Sequence, residues 1–261
     1  MVDPPPPRTW TALRARPEVW CLGLASGPTS GWPGADWIAD ILLAEEGVPT
    51  YRRWVSGTED WSSPPVERAW STWRDLIEDS DLSQAPALRF SAASKGMSAR
   101  TCSLSHGALS AMDFEPQAAS TYAYVEPPED QPLEVSGDFV GKFTDKDGAD
   151  TLIAYLASAE AQQIWADAPG FALSPHEKVT RYRDPTQGSV AQLLRSDHAL
   201  CFSAADAMDP DVAAAFYRAV LEYVRGEDLS PLLRSLDRVR DTLGANDSPP
   251  SAPLCGTPNR A

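Results

Sequence analysis

Gly23-Leu24-Ala25-Ser26-Gly27-Pro28-Thr29-Ser30-Gly31-Trp32-Pro33-Gly34-Ala35-Asp36-Trp37 runs directly into the apolar segment Ile38 to Ala44. A short apolar stretch therefore ends in a loop of glycine, proline and serine, and residues with helical periodicity follow. The loop carries two tryptophans and one carboxylate to the head of that helix. Two readings stay open. The indoles can be core residues at a strand-to-helix junction, or they can offer a stacking surface beside Asp36 and the loop amides. The second arrangement would suit a polyhydroxylated ring such as a sugar.

Upstream of this stretch, the proline run Pro4 to Pro7 reads as an extended segment, and Thr9 can cap a short helix beginning at Trp10. Trp20 to Ala25 reads as a buried strand. Downstream, Trp37, Ile38, Ile41 and Leu42 share one helical face that Gly47 closes, and Tyr51 to Val55 forms another helical piece. From Pro64, the residues Val66, Trp70, Trp73 and Ile77 recur at three- and four-residue spacing, which predicts an amphipathic helix with prolines in its first turn. Residues 80 to 120 have poor periodicity, with a strand expected only around Cys102-Ser103-Leu104. Thr121 to Val125 and Glu134 to Phe143 read as strands. Helices are expected at Gly148 to Ala157, Glu160 to Ala166, Gln187 to Ser196, Pro210 to Arg225 and Pro231 to Leu243. The Pro/Ser tail from 244 to 261 is too poor in apolar residues to be expected to fold. Strands among more numerous helices in both halves indicate α/β or α+β architecture.

With 261 residues, a formal net charge of -15 and a pI near 4.5, the chain can bury a sizeable core but offers no basic stripe to phosphates. Nucleic acid is therefore not expected as a partner. Cys21, Cys102, Cys201 and Cys255 show no CxxC spacing and no clustering with histidine, so neither a zinc site nor a disulfide scaffold is expected. No stretch has the length and apolarity of a transmembrane helix.

No catalytic signature survives inspection. Gly137 to Phe143 is one residue short between glycines for a phosphate loop, and Phe143 stands where a magnesium-binding hydroxyl is needed. His176-Glu177 lacks the second histidine of a zincin helix, and no Gly-x-Ser-x-Gly elbow occurs. Carboxylate pairs such as Asp36/Asp40 and Glu59/Asp60 could serve glycoside hydrolysis, but among 37 acidic residues such pairs arise by chance. The tryptophans are more telling, since eight of nine lie in the first 73 residues. Trp20, Trp70 and Trp73 read as core. Trp32 and Trp61, in loops rich in Gly, Ser and Asp, read as ligand candidates, while Trp37 and Trp54 fit either role.

In order, Pro7-Arg8-Thr9-Trp10-Thr11-Ala12-Leu13, Ser30 to Trp37, Ala149 to Trp165 and Ala214-Ala215-Phe216-Tyr217-Arg218-Ala219-Val220 resemble landmarks of the extracellular solute-binding proteins (family 1) of sugar ABC transporters, the α-glucoside and maltose type. The resemblance implies a type II periplasmic-binding-protein-like α/β fold of two lobes closing on a sugar, without chemistry or cofactor. It implies an oligosaccharide ligand, ABC permease subunits as partners and a cell-surface or extracellular location. Carried over by position, the ligand-binding residues are Trp32, Asp36 and Tyr217, with Ser30 and Trp61 as weaker candidates.

Relative to that family, the chain looks like most of the second lobe, residues 8–115 and 177–243, with 116–176 as a remnant of the first and 244–261 as a disordered tail. Such a truncated copy would bind sugar weakly on its own. Without a signal peptide, a chain complete as given would stay in the cytoplasm. The alternatives are a non-catalytic interaction protein retaining the lobe-two scaffold, or an acidic glycosidase.

Overall fold

The computed structural model describes residues 7–15, 18–112, 124–125, 127–128, 130–243 and 253–257. The central element is α2 (Trp32–Val55), which packs against α3 (Pro64–Leu76) and α10 (Pro210–Val224). Gly47 breaks α2 with φ 77° and ψ 172°, so the helix expected to end there does end, and the Tyr51 piece follows as a second helix. The stripe read from Pro64 onward holds: α3 buries Val66, Ala69, Trp70, Trp73 and Leu76. α11 (Leu229–Leu243) closes this core through Leu233 and Leu236. At the other end of the chain, α1 (Trp10–Arg14) starts on Thr9, whose hydroxyl accepts from the Ala12 amide.

Indole packing dominates the interior. Trp37, Trp54, Trp70 and Trp73 are all buried, which settles Trp37 and Trp54 as core residues. Trp20 meets Trp37 at 4.6 Å, and Trp70 lies 5.6 Å from Phe216 of α10. Burying rings of this size is the main source of stability here.

Strands are scarcer than the sequence suggests. Residues 20–24 are buried, yet this stretch makes only isolated bridges, Trp20 to Leu104 and Ala25 to Arg89. Of the strand expected over Glu134 to Phe143, only β1 (Leu133–Val135) pairs; it runs parallel to β2 (Leu200–Phe202). The first three residues of the strand expected over Thr121 to Val125 lie outside the described residues. Three further helices follow the sequence closely, α6 (Asp147–Leu156), α7 (Ala159–Asp167) and α8 (Pro185–Leu193), while the short α9 (Ala204–Ala207), capped by Ser203, is not anticipated there. Two brief helices, α4 (Phe90–Ala93) and α5 (Lys95–Ala99), occupy the stretch with poor periodicity.

Two expectations fail at the cysteines and the tail. Cys21 pairs with Cys102, and Cys201 with Cys255. The first pair forms because the Cys21 amide donates to the Leu104 carbonyl at 2.7 Å, which aligns two segments 81 residues apart in sequence. The second staples β3 (Cys255–Gly256), inside the tail expected to be without structure, antiparallel to β2. Arg52 also holds it, donating to the Cys255 carbonyl at 2.8 Å. Covalent and backbone anchoring thus substitutes for the apolar content that the tail lacks.

Candidate functional site

The Gly/Pro/Ser loop before α2 is a tight 3-10 turn, Gly27–Thr29, ending at Gly31. Gly31 has φ 106°, and a Cβ there would collide with the Tyr217 carbonyl oxygen of α10. Glycine is therefore required for loop and helix to touch. Three residues on, a Cβ at Gly34 would lie 2.7 Å from Val220 and 2.8 Å from the Trp73 ring. The close approach sets Tyr217 beside the head of α2.

From that head, Trp32, Asp36 and Asp40 follow at four-residue intervals and share one face of the helix. Trp32 is half-buried, its ring edge-on to Phe90 at 4.8 Å. Asp36 is poorly solvated. Burial, then the Asp206 and Asp40 carboxylates, push its pKa up to about 7, against a hydrogen bond donated by Ser203 Oγ at 3.4 Å. Glu134, on β1, stands behind it. Its Oε1 is 3.0 Å from the Tyr51 hydroxyl and accepts from the Ala204 amide at 3.0 Å. Burial, then Asp36 and Asp40, hold the Glu134 carboxyl well above the usual carboxylate range.

Tyr51 also lies 2.9 Å from the Phe202 carbonyl. A phenol has one proton to donate, so both short contacts are satisfied together when Glu134 is protonated. Tyr217 is half-buried, and burial with Asp36, Asp206 and Glu134 pushes its hydroxyl up to about 12. It stays protonated at neutral pH and can donate. Asp206 is exposed and accepts from Ser136 at 2.8 Å. Behind Asp40, His106 stacks on Trp37 at 4.8 Å and places Nε2 3.2 Å from the carboxylate.

These residues bring carboxyl groups and a phenol within electrostatic reach of one another near the head of α2, where Trp32 is half-buried. Carboxyls and a phenol can accept and donate to neutral hydroxyls, while an indole packs against C–H surfaces. No group of three His, Cys, Asp or Glu residues able to hold a metal ion occurs among the described residues. A groove of about 850 Å³ lies elsewhere, between α1, α3, Pro128 and residues 130–132. Two of its basic groups are paired, Arg14 with Asp75 and Arg68 with Glu46.

No family model matches the chain. It is 26% identical to the osmoprotective compounds-binding protein GgtB of Synechocystis sp., over 89% of its own length and 61% of that protein's. It is 24% identical to the alpha-glucosides-binding periplasmic protein AglE of Rhizobium meliloti, over 91% and 58%. Its relatives are solute-binding proteins. Among solved structures, the fold matches the bacterial solute receptor AcbH, described as having an exclusive preference for β-D-galactopyranose, with a TM-score of 0.70 at 15% identity, over 91% of this chain and 65% of that one. A chitin oligosaccharide binding protein matches with a TM-score of 0.67 at 17% identity, over 94% and 66%. The fold is thus a part of a periplasmic-binding-protein-like architecture, and the chain spans about three-fifths of the length of the curated relatives it matches.

Within this fold, the residues picked from the sequence fall into three groups. Trp32 and Asp36 share one face of α2, and Tyr217 lies close enough to Asp36 for that carboxylate to push its hydroxyl up. Ser30 is adjacent, but its hydroxyl serves the loop, donating to the Gly27 carbonyl at 2.7 Å and accepting from the Ser26 amide at 2.9 Å. Trp61 is a correction. Its ring is fully buried against Trp54 at 4.9 Å and Phe216 at 4.8 Å, with the Arg240 guanidinium over it. The Asp237 carboxylate accepts from the Trp61 and Ser62 amides, which draws a loop of polar composition onto the core. Sequence reasoning missed Glu134, Tyr51 and Ser203. A glutamate in the apolar run Leu133 to Val135 was the one available signal.

Proposed function

We propose that this chain is the carbohydrate-binding part of an ABC importer's solute-binding protein, and that it binds without performing chemistry. The observation that carries the reading is the closeness of Tyr217 to Asp36, which shares one face of α2 with Trp32. Ring hydroxyls of an oligosaccharide would donate to Asp36 and accept from Tyr217, with the sugar's apolar surface against Trp32. The names of the relatives, for alpha-glucosides and for osmoprotective compounds, support a small polyhydroxylated solute. Glu134 supports the site rather than taking part in catalysis, its Oε1 being occupied by Tyr51 and Ala204. In this reading residues 8–115 and 177–243 form the lobe that carries the site, and 116–176 belong to the opposing lobe.

Two disulfides support work in an oxidising compartment outside the cytoplasm, where sugar import begins. ABC permease subunits are the proposed partners, and the net charge of -15 argues against nucleic acid. The three contacts named here would by themselves bind weakly: each net hydrogen bond contributes only about 1 kcal/mol, and a micromolar Kd needs about 8 kcal/mol. Calorimetric titration with maltose and trehalose tests this. Millimolar binding is expected, and micromolar affinity for either would overturn the three-contact site. A second reading, a non-catalytic interaction protein on the same scaffold, is favoured by one feature, the apolar surface around α6 and α7.

A further inference from the structure

β2 and the two residues after it supply the groups that fix Asp36 and Glu134 near the head of α2. The Phe202 carbonyl lies 2.9 Å from the Tyr51 hydroxyl, and the Ser203 hydroxyl donates to Asp36 Oδ1 at 3.4 Å. The Ala204 amide donates to Glu134 Oε1 at 3.0 Å. On one edge β2 pairs with the three-residue β1, and two short strands alone are marginally stable in water. The other edge carries β3. There the Phe202 amide donates to the Leu254 carbonyl at 2.8 Å, and the Cys201–Cys255 disulfide joins the two strands. Both cysteines are buried in the core, and Leu254 packs against it.

α2 grips the same two strands with consecutive side chains. Tyr51 reaches the Phe202 carbonyl of β2, and Arg52 donates to the Cys255 carbonyl of β3 at 2.8 Å. Both residues follow the Gly47 break, so they belong to a different helical segment from Trp32 and Asp36. A hydrogen-bonded path from that segment back to Asp36 runs through β2 and Ser203. We propose that residues 254–256 are a positioning strap for the solute site, with Cys255 and Arg52 holding β2 where Ser203 and Ala204 meet Asp36 and Glu134. Both side chains act through β2 and not by contact with solute. Hydrogen bonds weaken steeply when misaligned. A shift of β2 therefore releases Asp36 from the orientation in which its other oxygen can accept from a sugar hydroxyl.

The consequence for binding rests on the sugar site proposed above, so the strap is also read without sugar. Amide hydrogen exchange is followed in the full oxidised chain, in Cys201→Ser/Cys255→Ser and in Arg52→Met. The last keeps the disulfide, should the double variant fail to fold. Relative to the Trp70 amide of α3, the Ser203 and Ala204 amides should exchange at least about tenfold faster in the double variant. In Arg52→Met, which removes one hydrogen bond, the same ratio should rise about fivefold. In each folded variant, the maltose concentration giving a set saturation-transfer signal should rise at least about threefold. Unchanged exchange ratios in the folded variants would overturn the proposal, and so would raised ratios with maltose binding at the wild-type level. If the wild-type chain gives no maltose signal at all, the sugar reading falls alone, and the exchange ratios still decide whether β3 positions these carboxyls.

Discussion

Asp36→Asn is expected to stabilise the protein at pH 8 and to change little at pH 4. The carboxyl titrates at about 7 in the fold against 3.8 unfolded, because burial and the Asp206 and Asp40 charges disfavour its ionised form. Between those values the folded state holds a proton that the unfolded chain has released. The resulting stability is fully present below 3.8 and is lost as pH rises through 7. A difference of about three pKa units, at about 1.36 kcal/mol each, sets a ceiling of about 4 kcal/mol at pH 8. Asparagine stays neutral, keeps an oxygen to accept from Ser203, and removes the largest Coulombic neighbour of Glu134. A gain of about 2–4 kcal/mol at pH 8 follows. Urea unfolding followed by tryptophan fluorescence at pH 4, 6 and 8 measures it. The reasoning fails if the variant keeps the wild-type slope with pH, or if it is less stable than wild type at pH 8. The gain in stability should accompany a loss of sugar affinity, as expected where a site holds an unfavourable charge for function.

Gly31→Ala should cost more than about 1 kcal/mol, because it adds backbone strain at φ 106° to a collision with the Tyr217 carbonyl; thermal melts check this, and wild-type stability would rule out the tight loop contact. Trp61→Ala should destabilise by about 3–5 kcal/mol as a core truncation, read by urea unfolding; a loss near zero would put the ring back on the surface. Cys201→Ser/Cys255→Ser should destabilise by about 2–4 kcal/mol and expose residues 253–257 to limited proteolysis; equal cleavage there in variant and wild type would contradict the β3 anchor.

The helices could be read from the sequence because their signals are local. In α3, one stripe from Val66 to Leu76 and prolines at the first turn are enough, and in α2 Gly47 marks the break by its backbone alone. Strands are harder to read, because Trp20 to Ala25 and Glu134 to Phe143 have strand composition while pairing depends on partners far along the chain. The cysteine pairs are invisible for the same reason: nothing in their spacing says that residue 255 returns to β2. Trp61 misled because its loop is polar, and its burial is imposed by Asp237, Phe216 and Arg240 from other elements. The site was half legible. Trp32 and Asp36 share a loop and helix, and Tyr217 came from family resemblance, but Glu134 and Tyr51 join it only through tertiary packing.

Saturation-transfer NMR on maltose, with the protein and its Asp36→Ala and Tyr217→Ala variants, is the most direct test of whether the head of α2 and the facing side of α10 hold sugar. Transfer to the ring protons is expected with the wild-type chain and should vanish in both folded variants. Equal transfer in wild type and variants, or none in any of them at millimolar sugar, would contradict the assignment of this face.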